Sequence, residues 1–237
     1  MIQRNKHLLI IIALLLNIAL LSSYKGLRVS NDFYNDKVVG IIINVDSICV
    51  KLEETNKYYN IKDGNPKIFN YWLKYLKEYE KEIALKEQII KKLTKFFDKH
   101  NKKYVLLNET VNYTNFPMFK GRIKQTAGVK KRACEYDMRS LKTKYNIEEV
   151  MVINIEYGIN EHQYNSYIGI TDMYNTMASA IIDLNDNSLE MVKLKTSKIN
   201  IGNYYKIEDK KPEFLEQMNE TIVSTLDDLK EQLTPIH

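Results

Sequence analysis

The densest chemistry in this sequence is cationic. Between Pro117 and Tyr145 stand nine basic residues, Lys120, Arg122, Lys124, Lys130, Lys131, Arg132, Arg139, Lys142 and Lys144, opposed only by Glu135 and Asp137. From Asp183 to His237 the balance reverses, with eleven acids against seven lysines. Such a split makes the molecule dipolar. A basic run of this kind suits a solvated helix face, or a patch for anionic lipid, a polyanion or an acidic protein surface. Aromatic residues are sparse within it, which argues against stacking of single-stranded nucleic acid. No nucleic-acid partner is expected.

Other reactive residue types are thinly spread. The four histidines are His7, His100, His162 and His237. His100 falls at the end of an amphipathic run, where a basic side chain suits a helix C-terminus. His162 lies in a polar stretch with Glu156 and Glu161 nearby, and a hydrolase reading would have to gather Glu156, His162 and Asp172 from separate places. The doublets Glu53/Glu54, Glu148/Glu149 and Asp227/Asp228 are sequence neighbours, and neighbours on a helix or strand point apart, so none is an acid/base pair by itself. The chain has no nucleophile elbow, P-loop, zinc-protease motif or Gly-rich dinucleotide fingerprint. No catalytic, cofactor-binding or metal-binding residue is therefore assigned, and no enzyme activity or cofactor is expected.

The two cysteines are Cys49, in a strand-like run, and Cys134, in a helix-like one. They read as small buried hydrophobes, or, in an oxidising compartment, as a disulfide. Asn108, Asn112 and Asn219 head glycosylation sequons, which matter only in a eukaryotic secretory route.

The N-terminus sets the compartment. Met1–His7 is polar and carries Arg4 and Lys6. Leu8–Leu21 is apolar apart from Asn17, and Ser22 and Ser23 follow. This is the order of a secretory signal. Fourteen residues is short for a spanning helix, which needs about 20. The poor match to a small-residue cleavage site keeps a retained N-terminal anchor open. Either way, the cationic lead-in holds its own end in the cytoplasm and puts the rest across the membrane. Residues 1–23 are thus a signal peptide or membrane anchor, and residues 24–237 form one extracytoplasmic domain. The overall charge of +5 partly reflects Arg4 and Lys6, so it says little about the exported part.

The remaining elements follow from periodicity. Val38–Val50 is rich in β-branched residues and predicts a buried strand. In Pro66–His100, Phe69, Leu76, Ile83, Ile90 and Phe97 recur every seven residues, with Trp72, Tyr79 and Leu93 beside them. That stripe predicts a long amphipathic helix, broken at most once, packed on a sheet or forming a coiled-coil seam. Lys103–Glu109 predicts a short strand, Thr110–Gly128 irregular chain, and Val129–Tyr145 a helix. Glu149–Ile159 predicts a strand that turns or bulges at Tyr157-Gly158. Tyr164–Leu184 and Leu189–Ile201 predict two strands joined by a hairpin at Asn185-Asp186-Asn187. Lys211–Leu233 predicts a closing helix with Phe214, Leu215, Met218, Ile222, Leu226 and Leu229 on one face. The fold class is α/β (α+β): a mixed sheet with a C-terminal antiparallel three-strand meander and helices mainly on one face.

The stretch Glu149–Ile201 resembles a known group. Its E-V-M-V-I-N-I-E-Y-G-I, a polar loop, a strand, and then S-A-I-I-D-L before a turn are similar to the core of bacterial envelope proteins of the TolB N-terminal-like and curli-assembly group. That group includes the penicillin-binding-protein activator lipoproteins. The likeness covers about fifty residues. It implies a compact α/β domain in the periplasm, used for assembly or regulation. Two departures stand out. There is no lipid-bearing Cys after the apolar run, and Asn185-Asp186-Asn187 and Met191-Val192 replace the group's Thr-Gly and Trp. No functional residue carries over. The expected role is that of an exported, non-enzymatic envelope protein, accessory to a transport or cell-wall complex, with an envelope protein as partner. The alternatives are an anionic-surface binder using the basic segment, and an unrecognised hydrolase.

Overall fold

A computed structural model describes residues 31–34, 36–54, 74, 77–78, 84–107, 115–121, 132–163, 169–202 and 211–234. The targeting segment and the first part of the long amphipathic run lie outside them. The strands are β1 (Val39–Glu54), β2 (Tyr104–Leu106), β3 (Arg132–Ala133), β4 (Glu149–Gln163), β5 (Gly169–Asp183) and β6 (Ser188–Gly202). The helices are α1 (Leu85–Lys99), α2 (Ser140–Tyr145) and α3 (Lys211–Leu233), preceded by a 3-10 turn at Asn31–Tyr34.

The strands form one six-stranded mixed sheet, in the order β2-β1-β4-β5-β6-β3. β1 runs parallel to β2 and β4. β4, β5 and β6 form the antiparallel meander expected from the alternating patterns. The parallel β1–β4 pairing follows from the long crossover between them, which carries α1 and lets β4 run in the same direction.

Because side chains alternate along a strand, the sheet has two faces with different covers. Odd-numbered positions Ile41, Ile43, Met151, Ile153, Ile155, Met177 and Ile181 face α1 and α3. Those helices answer with Leu85, Ile89, Leu93 and Phe97, and with Met218, Ile222, Leu226, Leu229 and Leu233, at the i, i+4 spacing of one helical stripe. Even-numbered Ile42, Val150, Val152 and Ile182 face a smaller core made by Leu107, Met138, Leu141, Ile147 and Leu184. This core packs closely on Gly40: a Cβ there would lie 2.5 Å from the Ile147 Cδ1 methyl, which would have to shift. Of the stripe read from the sequence, Leu93 and Phe97 lie in the core under α1 and α3 and Ile90 packs against it, so its described part is used on a sheet. Phe69, Trp72, Leu76, Tyr79 and Ile83 lie outside the described residues. Ala84, at φ 43°, marks the start of α1.

Two sequence expectations are corrected. The helix expected over Val129–Tyr145 is confined to Ser140–Tyr145, and Arg132–Ala133 is a strand paired with β6. The backbone of residues 134–138 finds partners outside its own turn, on Asn187 and on Pro117, so a helical ladder has nothing to add. The irregularity expected at Tyr157-Gly158 falls instead on the neighbouring strand. β4 stays in register with β5 through both residues, while β1 shifts between Ile48 and Val50.

An ionic knot ties the N-terminal ends of β1 and β4. Lys102 is buried, with its ammonium 3.4 Å from the Glu149 carboxylate, donating to the Phe33 carbonyl and 4.0 Å from the Phe33 ring centre. Lys37 reaches the other Glu149 oxygen at 3.0 Å. Glu148 accepts from the Val38 N–H at 2.7 Å. Burial holds the Lys102 pKa below the ordinary lysine value, against the pull of Glu149. For Lys37 the Glu149 hydrogen bond and charge outweigh burial and raise the pKa.

Candidate functional site

The basic segment is built as a strap across the second face of the sheet. Residues 115–121 and 132–139 run antiparallel through the Met118–Tyr136 bridge, with Phe119 N–H on Glu135 O and Asp137 N–H on Pro117 O, both 2.8 Å. One side chain fixes this ribbon to the sheet. Asn187 sits in the β5–β6 turn at φ 64°, a left-handed position that Asn tolerates. It is fully buried, and its Oδ1 accepts from Met138 N–H at 3.0 Å. Its Nδ2 donates to the carbonyls of Cys134 and Tyr136 at 3.0 and 2.9 Å. Local turn chemistry therefore supplies a long-range clamp. The Asn-Asp-Asn run signalled the turn but not the clamp.

Of the nine basic residues named from sequence, Lys120, Arg132, Arg139, Lys142 and Lys144 fall in described chain, and all five are exposed. Arg122, Lys124, Lys130 and Lys131 lie outside the described residues. The five differ in state. Arg139 grips Asp137 through Nε at 2.8 Å and Nη2 at 2.6 Å, with its guanidinium 5.2 Å from the Phe119 ring centre. That grip holds the Asp137 carboxyl below the usual carboxylate range. Lys142 donates to the Asn185 amide oxygen. The Lys144 ammonium lies 4.9 Å from the Tyr145 ring centre.

Between the turn before α2 and the β5–β6 hairpin lies a cleft of about 480 Å³ lined by Pro117, Asp137, Arg139, Ser140, Lys142, Leu184 and Asn185. Its far wall is rigid: Asn185 N–H is held by Asp183 Oδ1 at 2.7 Å, and Asn187 N–H by the Asp183 carbonyl at 2.9 Å. The acids of α3 lie on the other side of the sheet. Glu216, Glu220, Asp227 and Glu231 are exposed along α3, and Asp228 pairs with Lys195 at 2.7 Å.

The remaining candidates separate. The Cys134 thiol is free, and burial pushes its pKa up. With Cys134 free, the alternative of a Cys49–Cys134 disulfide is not met in this structure. Ala133 is level with Ser188, Asp183, Glu149 and Val39 across the sheet. Cys49 lies ten residues along β1 from that level, ~30 Å at the usual strand rise; a disulfide needs Cα atoms within about 7 Å. The trio of the hydrolase reading does not converge either. The register sets Asp172 opposite Asn160, one diagonal step from His162, but Glu156 stands opposite Thr176. Glu156 is six residues from His162 along β4, roughly 20 Å. Glu148 and Glu149, adjacent in sequence, serve separate structural partners. Among the described residues no group of three or more His, Cys, Asp or Glu could hold a metal ion. Among the same residues no helix is long and apolar enough to cross a membrane.

Comparison with protein-family models and with curated proteins returns no match. Several solved structures are similar to this chain. One is a minor lipoprotein from Acinetobacter baumannii, 9% identical over 83% of this chain and 91% of that one, with a TM-score of 0.33. Another is the lipoprotein GNA1162 from Neisseria meningitidis, 10% identical over 81% and 99%, TM-score 0.29. A third is the hypothetical protein CT253 from Chlamydia trachomatis, 12% identical over 80% and 95%, TM-score 0.29. Two of the three are thus described as lipoproteins, all three come from bacteria, and none is described as a member of the TolB N-terminal-like or curli-assembly group.

Proposed function

We propose that this chain is an exported, non-enzymatic protein of a bacterial cell envelope that works through protein contacts, as an accessory to a transport or cell-wall assembly complex. The observation that carries the contact role is the clamped strap. Lys120, Arg132, Arg139, Lys142 and Lys144 are exposed on a ribbon and short helix whose backbone is fixed by Asn187. A preset array of charges steers and orients an oppositely charged partner without the ordering cost of a floppy one. The acids of α3 lie on the opposite sheet face, so they do not oppose an acidic partner at the strap. The export role rests on the cationic tip and apolar run of residues 1–21.

Two measurements test the reading together. A reporter fused after His237 should be active only outside the cytoplasm. A photo-crosslinker placed at Lys120 should capture one acidic envelope protein, and capture should fall in high salt and with Lys142→Glu and Lys144→Glu combined. A cytoplasmic reporter overturns the location. Capture that ignores both salt and charge reversal, or that goes to lipid alone, overturns the protein-contact role.

A further inference from the structure

The cleft beside α2 holds two cations in unlike states. Arg139 has both oxygens of Asp137 for company, at 2.8 and 2.6 Å. Lys142 has only a neutral partner: its ammonium donates to the Asn185 amide oxygen, and among the described residues no carboxylate pairs with it. An ammonium carries three N–H donors, so two are left. Asn185 is itself anchored through its N–H to Asp183 Oδ1 at 2.7 Å. The lysine thereby stands against an anchored neutral partner at the edge of an open cleft of about 480 Å³.

The surroundings select the anion. Asp137 lies in the cleft wall, and Asp183 and Asp186 accept backbone N–H bonds in the hairpin beside it. A densely charged chain would bring its further charges against these carboxylates, at a cost that rises with each one. A single carboxylate meets the ammonium without that cost. Pro117 and Leu184 supply an apolar wall for the methylenes that precede it. We infer that this cleft is the seat for one acidic side chain of a protein partner, with Lys142 taking the carboxylate and Asn185 positioning Lys142. The inference rests on the protein-contact role proposed above and narrows it from a surface to one recognition point.

The test uses the full chain in neutral detergent, isotope-labelled for NMR, titrated with a capped peptide of alternating Glu and Lys. The same peptide with Gln for Glu and inorganic polyphosphate serve as separate arms. Expected is saturable movement of the Lys142 and Asn185 amides with the Glu-Lys peptide and none with its Gln form. Lys142→Gln should weaken binding about three- to fivefold, the scale of one partly exposed ion pair. Lys120→Gln and Lys144→Gln, outside the cleft, should each weaken it less than Lys142→Gln does, and Asn185→Ala should weaken it without removing any charge. If the peptide binds but all three lysines matter equally, the basic surface stands and the cleft falls. If only polyphosphate binds, both fall.

Discussion

Replacing Asn187 by glycine removes the clamp while leaving the turn free to form. Glycine adopts φ 64° without strain, so the loss comes from the side chain alone. Three hydrogen bonds disappear, at 2.9 to 3.0 Å. Each contributes about 1 kcal/mol net, and an orphaned buried N–H such as that of Met138 costs about 1–3 kcal/mol. Glycine also widens the unfolded ensemble, for about 0.4–1 kcal/mol more. With the Met138 bond counted once, as the orphaned N–H, the sum is about 3–6 kcal/mol, a large share of the about 5–15 kcal/mol of a typical domain. Asn187→Ala should cost a further ~1 kcal/mol, because a Cβ resists the left-handed region. Urea unfolding of wild type and both variants gives the free energies. Hydrogen exchange adds the location, since the Met138 amide should lose protection before those of β4. The strap would also lose its preset geometry, so peptide binding at the cleft should weaken although no cation has been changed. A loss under about 0.5 kcal/mol in Asn187→Gly would refute the reasoning, since the three contacts would then carry no net weight.

Four further outcomes are expected. Glu149→Gln should destabilise by about 3–5 kcal/mol, because it strands the buried Lys102 ammonium, whereas Lys102→Met should cost much less, because Glu149 keeps Lys37. The Lys102 pKa is lowered by folding, so the unfolded chain holds that proton more tightly. The stability of wild type relative to Lys102→Met should therefore rise as pH climbs from the folded value toward the ordinary 10.5, then level off; urea midpoints across that range check the sign. Cys134 should react with iodoacetamide more slowly in the folded chain than in urea near pH 8, because burial keeps it a thiol; its contribution to stability should fade as pH rises past the ordinary thiol value of 9.0. Asn175→Leu should leave stability unchanged or raise it. The Asn175 amide oxygen is buried without a partner, and the Thr225 hydroxyl to which the Asn175 Nδ2 donates itself donates to the Thr221 and Ile222 carbonyls, so no donor is stranded. A thermal shift downward by more than a few degrees would count against that reading.

Periodicity made most of the sheet and its main helices legible. β4, β5, β6 and α3 repeat their apolar residues at strand or helix spacing; β4 and the described part of α3 bury the face that the pattern names, whereas of the described apolar residues of β6 only Met191 is fully buried. Met218, Ile222, Leu226 and Leu229 are all in the core. Asn185-Asp186-Asn187 is the turn its composition demands. The candidate site was legible only as charge. The count of cations between Pro117 and Tyr145 is a property of the chain, but which of them are neutralised is not. Arg139 is matched by Asp137, two residues away, while Lys142 meets Asn185 from the far side of β4 and β5.

What the amino-acid order determined by itself is whatever depends on near neighbours: the apolar N-terminal run, the alternating strands, the amphipathic helices and the hairpin. Their energies come from contacts within a few residues, or from a face that any apolar partner can cover. What the tertiary structure decided is where backbone and thiol groups found partners far along the chain. Residues 129–139 carry helical periodicity, yet Arg132 and Ala133 pair with β6, and residues 134–138 bond to Asn187 and Pro117. A distant buried amide outcompetes a local turn because its hydrogen bonds are made away from water. The same register that holds β1, β4, β5 and β6 in line keeps Cys49 and Cys134 at opposite ends of the sheet, a separation no spacing in the sequence could reveal.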